Sequence, residues 1–135
     1  VQTCALPISR PVNAYWNLCY SCVNLGYFED GYQAYLRFLW PQYRRQVPSD
    51  PLRRWYLAYF APIAYRVGDL DTAYMTAMTQ LADDAAQGTL VRDGVALLSA
   101  RVLSGVLAAR GDEAGAREVE SAYGIRRLPE CSDGW

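Results

Sequence analysis

Apolar residues recur along this chain at the spacing of helices, and no segment alternates apolar and polar residues as a strand would. The apolar stretches are separated by glycines, prolines and acidic residues, which commonly end or begin helices. The pattern therefore predicts an all-α fold. The predicted helices cover about residues 11–25, 29–45, 51–67, 70–86, 90–110 and 113–123.

Individual residues refine these helices. Leu18 and Leu25 share the apolar face of the first helix. Pro41 lacks a backbone N–H, so we expect it to kink or end the second helix. Asp69 and Asp112 precede the fourth and sixth helices and are candidate N-terminal caps.

Three segments share a glycine pattern: LGYFEDGYQAY, VGDLDTAYMTA and RGDEAGAREVE. Their glycines are 42 and 43 residues apart, and a small residue follows each glycine five positions later. Each glycine ends a predicted helix, and the small residue would let the next helix approach closely. Because the connections are short, consecutive helices should form antiparallel hairpins. The predicted turn and packing positions are Gly26, Gly31, Gly68, Ala73, Gly111 and Ala116.

A fixed period of this length is typical of stacked helical hairpins. We expect one domain over residues 10–124, with hairpins at about 11–46, 51–87 and 90–124, stacked as a short right-handed α-solenoid. Residues 125–135 are expected to form an irregular tail. The alternative is an unrelated six-helix bundle in which the turn glycines coincide by chance.

The first two glycine segments resemble the central part of tetratricopeptide repeats, in which a glycine after the first helix and an alanine in the second recur. The period is longer than the usual one of about 34 residues, and Gly31 stands where an alanine is expected. The chain is therefore similar to a long-period variant. The resemblance implies a module that binds a protein or peptide partner.

The first nine residues, VQTCALPIS, resemble a translated sequencing adapter rather than part of the fold. We therefore expect residues 1–9 to be non-native, Cys4 included. The native polypeptide would then begin upstream of Arg10. A hairpin that has lost its upstream neighbour would expose apolar surface, and self-association through that N-terminal face is expected.

All 13 basic residues are arginine, and the chain has no lysine and no histidine. This composition excludes histidine-dependent nucleophiles, Schiff-base or P-loop lysines and histidine-ligated metals within the fragment. We expect no catalytic residue, cofactor or metal. The net charge of −1 provides no general attraction to nucleic acid or to anionic membranes. The arginine bias is interpreted as that of a GC-rich bacterial genome, and a cytoplasmic location is expected.

Cys19 and Cys22 form a CxxC pair within the first predicted helix. A metal or redox role is one reading, but zinc needs four ligands and the only further cysteine outside residues 1–9 is Cys131. Buried cysteines that act as small apolar residues are the favoured reading.

Aromatic residues concentrate in the first two hairpins, and their number suggests that some line a binding groove. We expect this groove along the first helix of each hairpin. The candidate contact residues are Tyr15, Tyr20, Tyr56, Tyr59 and Arg101. The leading hypothesis is a scaffold or protein-interaction module from a larger protein. The alternative is a C-terminal accessory domain that packs against a regulator or an enzyme encoded upstream.

Overall fold

A computed structural model describes residues 17–19, 21–22, 24–45, 60–86 and 94–129. The described residues are helical, lie in turns or have no regular secondary structure, and none of them forms a strand, so the all-α prediction is confirmed. Within this part of the chain, no helix has the length and apolar character needed to cross a bilayer.

The N-terminal helical residues are 17–19, 21–22 and 24–25. The elements that follow are α1 (Phe28–Ala34), a π-helical segment (Tyr35–Leu39), α2 (Trp40–Tyr43), α3 (Phe60–Arg66), α4 (Leu70–Ala86), α5 (Gly94–Ala109) and α6 (Glu113–Tyr123).

The helix that begins at Phe28 continues through Pro41 and ends at Tyr43. Directly before the proline, the backbone N–H of Trp40 bonds the carbonyl of Tyr35, five residues back. A proline ring in a regular α-helix would collide with the carbonyl four residues earlier, which here belongs to Arg37. The wider π-helical turn relieves this crowding, so Pro41 distorts the helix without ending it.

The three turn glycines adopt nearly the same left-handed backbone conformation. Gly26, Gly68 and Gly111 have φ angles of 82°, 85° and 86°. In each turn the residue after the glycine donates its N–H to the carbonyl four residues before the glycine, as in a Schellman motif. The three bonds are Tyr27 to Cys22 (2.7 Å), Asp69 to Ala64 (2.9 Å) and Asp112 to Leu107 (2.9 Å).

The small residue five positions after each glycine is buried. Ala73 and Ala116 are fully buried. A Cβ atom on Gly31 would lie 3.0 Å from the Cβ of Cys22. The helices of the first hairpin therefore approach more closely than an alanine would allow, which explains the glycine in this copy.

Both acidic caps form. The backbone N–H of Thr72 donates to Oδ1 of Asp69 at 3.1 Å, and that of Gly115 donates to Oδ1 of Asp112 at 2.9 Å. These bonds satisfy N–H groups that have no partner within the first turn of a helix. Asp69 and Asp112 thus define where α4 and α6 begin.

The described helices pack mainly on their neighbours along the chain. α1 packs on α3, α3 on α4, α4 on α5, and α5 on α6, while α3 also contacts α5. The largest fully buried side chains include Tyr35, Leu39, Phe60, Ile63 and Leu128. One core therefore extends from α1 to the segment after α6.

The N-terminal helical residues turn a different face inward from the one expected. Leu18 and Leu25 are 45% and 68% exposed, whereas Cys19 is 1% exposed. The inward face is set by the close approach of Gly31, whose carbonyl accepts the Cys19 thiol at 3.6 Å. The apolar stripe of Leu18 and Leu25 consequently faces solvent.

Candidate functional site

A groove of about 460 Å³ lies between the helix that runs from α1 to α2 and the face of α4 opposite it. Its volume falls within the range of small-molecule and side-chain pockets. We call it the aromatic groove. The described residues that line it are Leu36, Trp40, Tyr43 and Phe60 on one side and Asp71, Thr72, Met75, Thr76 and Thr79 on α4.

Phe60 organises the aromatic wall of the groove. Its ring stacks on Tyr35 with centroids 4.3 Å apart and contacts Trp40 at 5.1 Å. Trp40 in turn stacks on Tyr43 at 4.8 Å. Because Tyr35, Phe60 and Tyr43 are buried while Trp40 is half-buried, the ring system presents a supported surface to the groove. Such a wall loses little conformational entropy when a partner binds.

The opposite wall is a single face of α4. Thr72, Met75, Thr76 and Thr79 follow one another at helical spacing, and Met75 is 63% exposed. The Thr79 hydroxyl donates to the Met75 carbonyl at 2.8 Å, so it is satisfied within the helix, and the exposed Met75 adds a flexible thioether to this wall. The sequence interpretation missed this face, although the threonine and methionine spacing was its signal.

Polar contacts hold the two walls together. The Tyr32 hydroxyl on α1 donates to Oδ2 of Asp69 at 2.6 Å, while Oδ1 of the same carboxylate caps α4. Burial, and then this hydrogen bond, raises the pKa of Tyr32 to about 12. The bond from Tyr32 also lowers the pKa of Asp69. One carboxylate thereby positions α1 against the start of α4 and sets the width of the groove.

An ion pair lies at the rim of the groove. Asp71, which lines the groove, pairs with Arg110 beyond the end of α5, and the Arg110 guanidinium lies 5.1 Å from the centre of the Tyr74 ring. The pair is exposed, so it contributes little to stability. It places a charged edge beside an otherwise apolar surface.

The two cysteines of the CxxC pair differ in burial: Cys19 is buried and Cys22 is half-buried. Burial, followed by the charge of Cys22, raises the pKa of the Cys19 thiol to about 12, so the thiol is protonated near neutral pH. No cluster of three or more potential metal-ligating side chains occurs among the described residues. Cys19 packs as a small apolar residue.

The four tyrosines predicted to contact a partner, Tyr15, Tyr20, Tyr56 and Tyr59, lie outside the described residues. Arg101 is half-buried on α5, and its Nε donates to the Arg126 carbonyl at 2.9 Å. Tyr32, Tyr35, Tyr43 and Tyr65 belong to the core, whereas Tyr27 is 58% exposed. The aromatic groove is formed by the second helices of the first two predicted hairpins together with Phe60, which lies on the first helix of the second hairpin. The predicted groove along the first helices stays a prediction, because its four tyrosines lie outside the described residues.

Residues 125–129 follow α6 without regular secondary structure, and we call them the C-terminal strap. Leu128 is only 2% exposed, so the strap is part of the core.

Charged and polar groups also hold the strap. Arg127 donates to Glu113 at 2.7 Å and to Glu120 at 2.7 Å, and the Ser104 hydroxyl also donates to Glu120 at 2.7 Å. The bond from Arg127 lowers the pKa of Glu113 to about 2. Ser104 and then Arg127 lower the pKa of Glu120.

Comparisons with protein-family models, with curated proteins and with solved structures find no match for this chain. The inference of function therefore depends on the groove, the strap and the packing of the helices.

Proposed function

We propose that this chain is a protein-interaction or scaffold module, built from tetratricopeptide-like hairpins, which binds a peptide or protein partner in the aromatic groove. The observation that carries the proposal is the preformed groove between a supported aromatic wall and the exposed Met75. Aromatic rings and methionines are enriched where proteins bind one another.

Two features support the repeat architecture. The turns at Gly26, Gly68 and Gly111 share their φ angle and their hydrogen bond. The described helices contact chiefly the next helix along the chain, and α3 additionally contacts α5. Stacked hairpins have this pattern of contacts, since each repeat touches only its neighbours.

The groove suits an apolar segment of the partner. Its aromatic wall and the Met75 side chain offer apolar surface to apolar side chains of a partner, whereas Asp71 adds a polar rim. A partner helix or peptide with aliphatic or aromatic anchors at helical spacing fits this chemistry.

The test uses Met75→Asp with Met78→Asp as its matched control. Both methionines lie on α4 and are exposed, at 63% and 40%, but only Met75 lines the groove. Peptides are first selected from a displayed random library against the wild-type chain, and the affinity of one selected peptide is then measured by fluorescence anisotropy. We expect Met75→Asp to weaken binding by about tenfold or more, because a charge must be desolvated in an apolar site, and Met78→Asp to leave it unchanged. Selected peptides without apolar anchors, or equal effects of the two substitutions, would contradict the proposal.

The exposed stripe of Leu18 and Leu25 favours a second function, that of an accessory domain that packs against the rest of a larger protein. In the isolated chain the same stripe would drive self-association. Light scattering coupled to size-exclusion chromatography should detect a dimer that Leu18→Glu together with Leu25→Glu converts to a monomer. A wild-type monomer at micromolar concentration would argue against this role of the stripe.

A further inference from the structure

The C-terminal strap lies across two helices that are not adjacent in the chain. Its Leu128 carbonyl accepts from the Tyr65 hydroxyl on α3 at 3.3 Å, and its Leu128 N–H donates to the Arg101 carbonyl on α5 at 3.2 Å. A helix added after α6 by simple stacking would touch α5 and α6, but not α3. The position of the strap is therefore that of a segment bound on the face formed by α3 and α5.

The strap is held as an extended peptide is held in a recognition groove. Main-chain groups of three of its residues have partners on the helices: the Ile125 N–H donates to the Glu120 carbonyl, the Arg126 carbonyl accepts from Arg101 Nε, and both main-chain groups of Leu128 are bonded. Main-chain hydrogen bonds of this kind provide affinity for any extended segment of suitable length. The donor on α3 is well positioned, because the Tyr65 ring packs so tightly on Gly105 that a Cβ there would lie 2.8 Å from its hydroxyl oxygen.

Side chains supply the selectivity of this face. Leu128 is the buried anchor, and Arg127 is bound by the carboxylates of Glu113 and Glu120. Glu120 is in turn held by the buried Ser104. The Arg126 side chain is exposed and has no hydrogen bond or ion pair with the described residues. The contacts of the strap therefore favour a segment in which an arginine is followed by a leucine.

We propose that the α3–α5 face, together with Glu113 and Glu120 on the adjoining α6, is a peptide-binding surface for extended segments that carry arginine followed by leucine, and that the strap is its intramolecular, displaceable ligand. Within the strap, Leu128 is buried, Ile125, Arg127 and Pro129 are half-buried, and Arg126 is exposed. The ion pair between Arg127 and the exposed Glu113 is weak for this reason. It is joined to α6 through the left-handed Gly124, with φ 65°, and has no helix of its own. Its affinity benefits from tethering, so a free segment must compete with a high effective concentration.

The test measures binding of the peptide GIRRLPE, which copies residues 124–130, labelled with fluorescein at its N-terminus. The strap is released by the double substitution Arg127→Ala and Leu128→Ala, and Arg126→Ala is the matched control. We expect the released variant to bind the peptide at least about tenfold more tightly than the wild type, because the tethered competitor is gone. Arg126→Ala should behave as the wild type does. A peptide with alanine in place of its leucine should not bind the released variant.

Three outcomes would overturn the proposal. The first is equal affinity of wild type and released variant for the peptide, and the second is loss of cooperative unfolding in the released variant, which would make the strap a structural element. The third comes from the unmodified, ¹⁵N-labelled protein: excess peptide should shift the Leu128 amide signal toward that of an unbound segment, and an unmoved signal would show that the strap is not displaceable. Met75→Asp should leave all these measurements unchanged. A negative result for the strap would therefore not count against partner binding in the aromatic groove.

Discussion

The space between helices is filled by several packed rings at one end of this core, and mainly by small residues beside the single ring of Tyr65 at the other. Between α1 and α3, Phe60 contacts Tyr32, Tyr35 and Trp40 at centroid distances of 5.9, 4.3 and 5.1 Å. Between α3, α5 and α6 the buried residues include Ala100, Val102, Ser104, Gly105, Val106 and Ala116. A groove lies at the edge of the ring cluster, whereas Gly105 lets the Tyr65 ring on α3 pack directly on α5. The two binding surfaces proposed above follow from this difference.

The polar contacts differ in the same way. In the aromatic half, Asp69 both caps α4 and accepts from the largely buried Tyr32. The equivalent residue in the last hairpin, Asp112, caps α6 and is exposed. In that half the further charges hold the strap at the surface through Arg127. Polar groups therefore connect two hairpins inside the core in the aromatic half, whereas in the other half they hold the C-terminal strap against the core.

Replacement of Phe60 by alanine should have the largest effect. It removes the ring on which the aromatic wall depends, and we expect the free energy of unfolding to fall by about 3–5 kcal/mol. Val106→Ala removes two methyl groups from the fully buried centre of α5 and should cost only about 1–2 kcal/mol. Urea unfolding followed by circular dichroism measures both. Similar losses of unfolding free energy would mean that the two ends of the core tolerate the truncation of a buried side chain equally well.

Alanine substitutions at Asp112 and Asp69 compare two N-caps. Asp112 only caps α6, whereas Asp69 caps α4 and also accepts a hydrogen bond from Tyr32 in the first hairpin. Asp112→Ala loses one capping bond and should destabilise by about 1 kcal/mol. Asp69→Ala also leaves the Tyr32 hydroxyl without its partner, so we expect about 2–3 kcal/mol. In the Tyr32→Phe background the two losses should become similar. If the losses of unfolding free energy still differ by the same amount in the Tyr32→Phe background, the hydrogen bond from Tyr32 to Asp69 does not cause the difference.

The tight packing of the second region can be tested at its glycines. A Cβ on Gly105 would lie 2.8 Å from the Tyr65 hydroxyl oxygen and 2.9 Å from Cζ, whereas a Cβ on Gly94 would meet nothing within 4 Å. Gly105→Ala should cost about 1–2 kcal/mol, after the helix propensity of alanine offsets part of the overpacking. Gly94→Ala should be neutral or stabilise by up to about 1 kcal/mol. Thermal unfolding of the Gly105→Ala and Gly94→Ala variants measures both effects. An increase in the stability of Gly105→Ala would show that α3 and α5 move apart without cost.

Acid and alkali should act on different regions. The pKa of Glu113 is lowered from 4.5 to about 2, so its contribution is present above pH 4.5 and is lost as the pH falls toward 2. The pKa of Tyr32 is raised from 10 to about 12, so its contribution is present below pH 10 and is lost as the pH rises toward 12. Carbon-13 NMR titration of the Glu113 carboxyl and the Tyr32 Cζ measures both midpoints. In Arg127→Ala the Glu113 midpoint should move toward its ordinary value while that of Tyr32 stays, and an unshifted Glu113 would contradict the ion pairs of the strap.

Helix boundaries were the features most readily predicted, as the ends of α4 and α6 show. The predicted ranges 70–86 and 113–123 agree with Leu70–Ala86 and Glu113–Tyr123. Their signals are local, since each cap bonds an N–H three residues later and each turn glycine closes a bond within six residues. The location of the aromatic groove does not follow from the local pattern, because which helix face turns inward depends on partners distant in sequence.

The all-α class, the glycine turns and the caps follow from local sequence, because they depend on backbone hydrogen bonds between near neighbours. Long-range packing places Leu18 and Leu25 toward solvent, Phe60 behind a groove and the strap on the core. The strap is the clearest case, since the bond from Tyr65 to Leu128 joins residues 63 positions apart. Burial of Leu128 depends on the space that α3 and α5 leave between them, and no local pattern around residue 128 encodes that space.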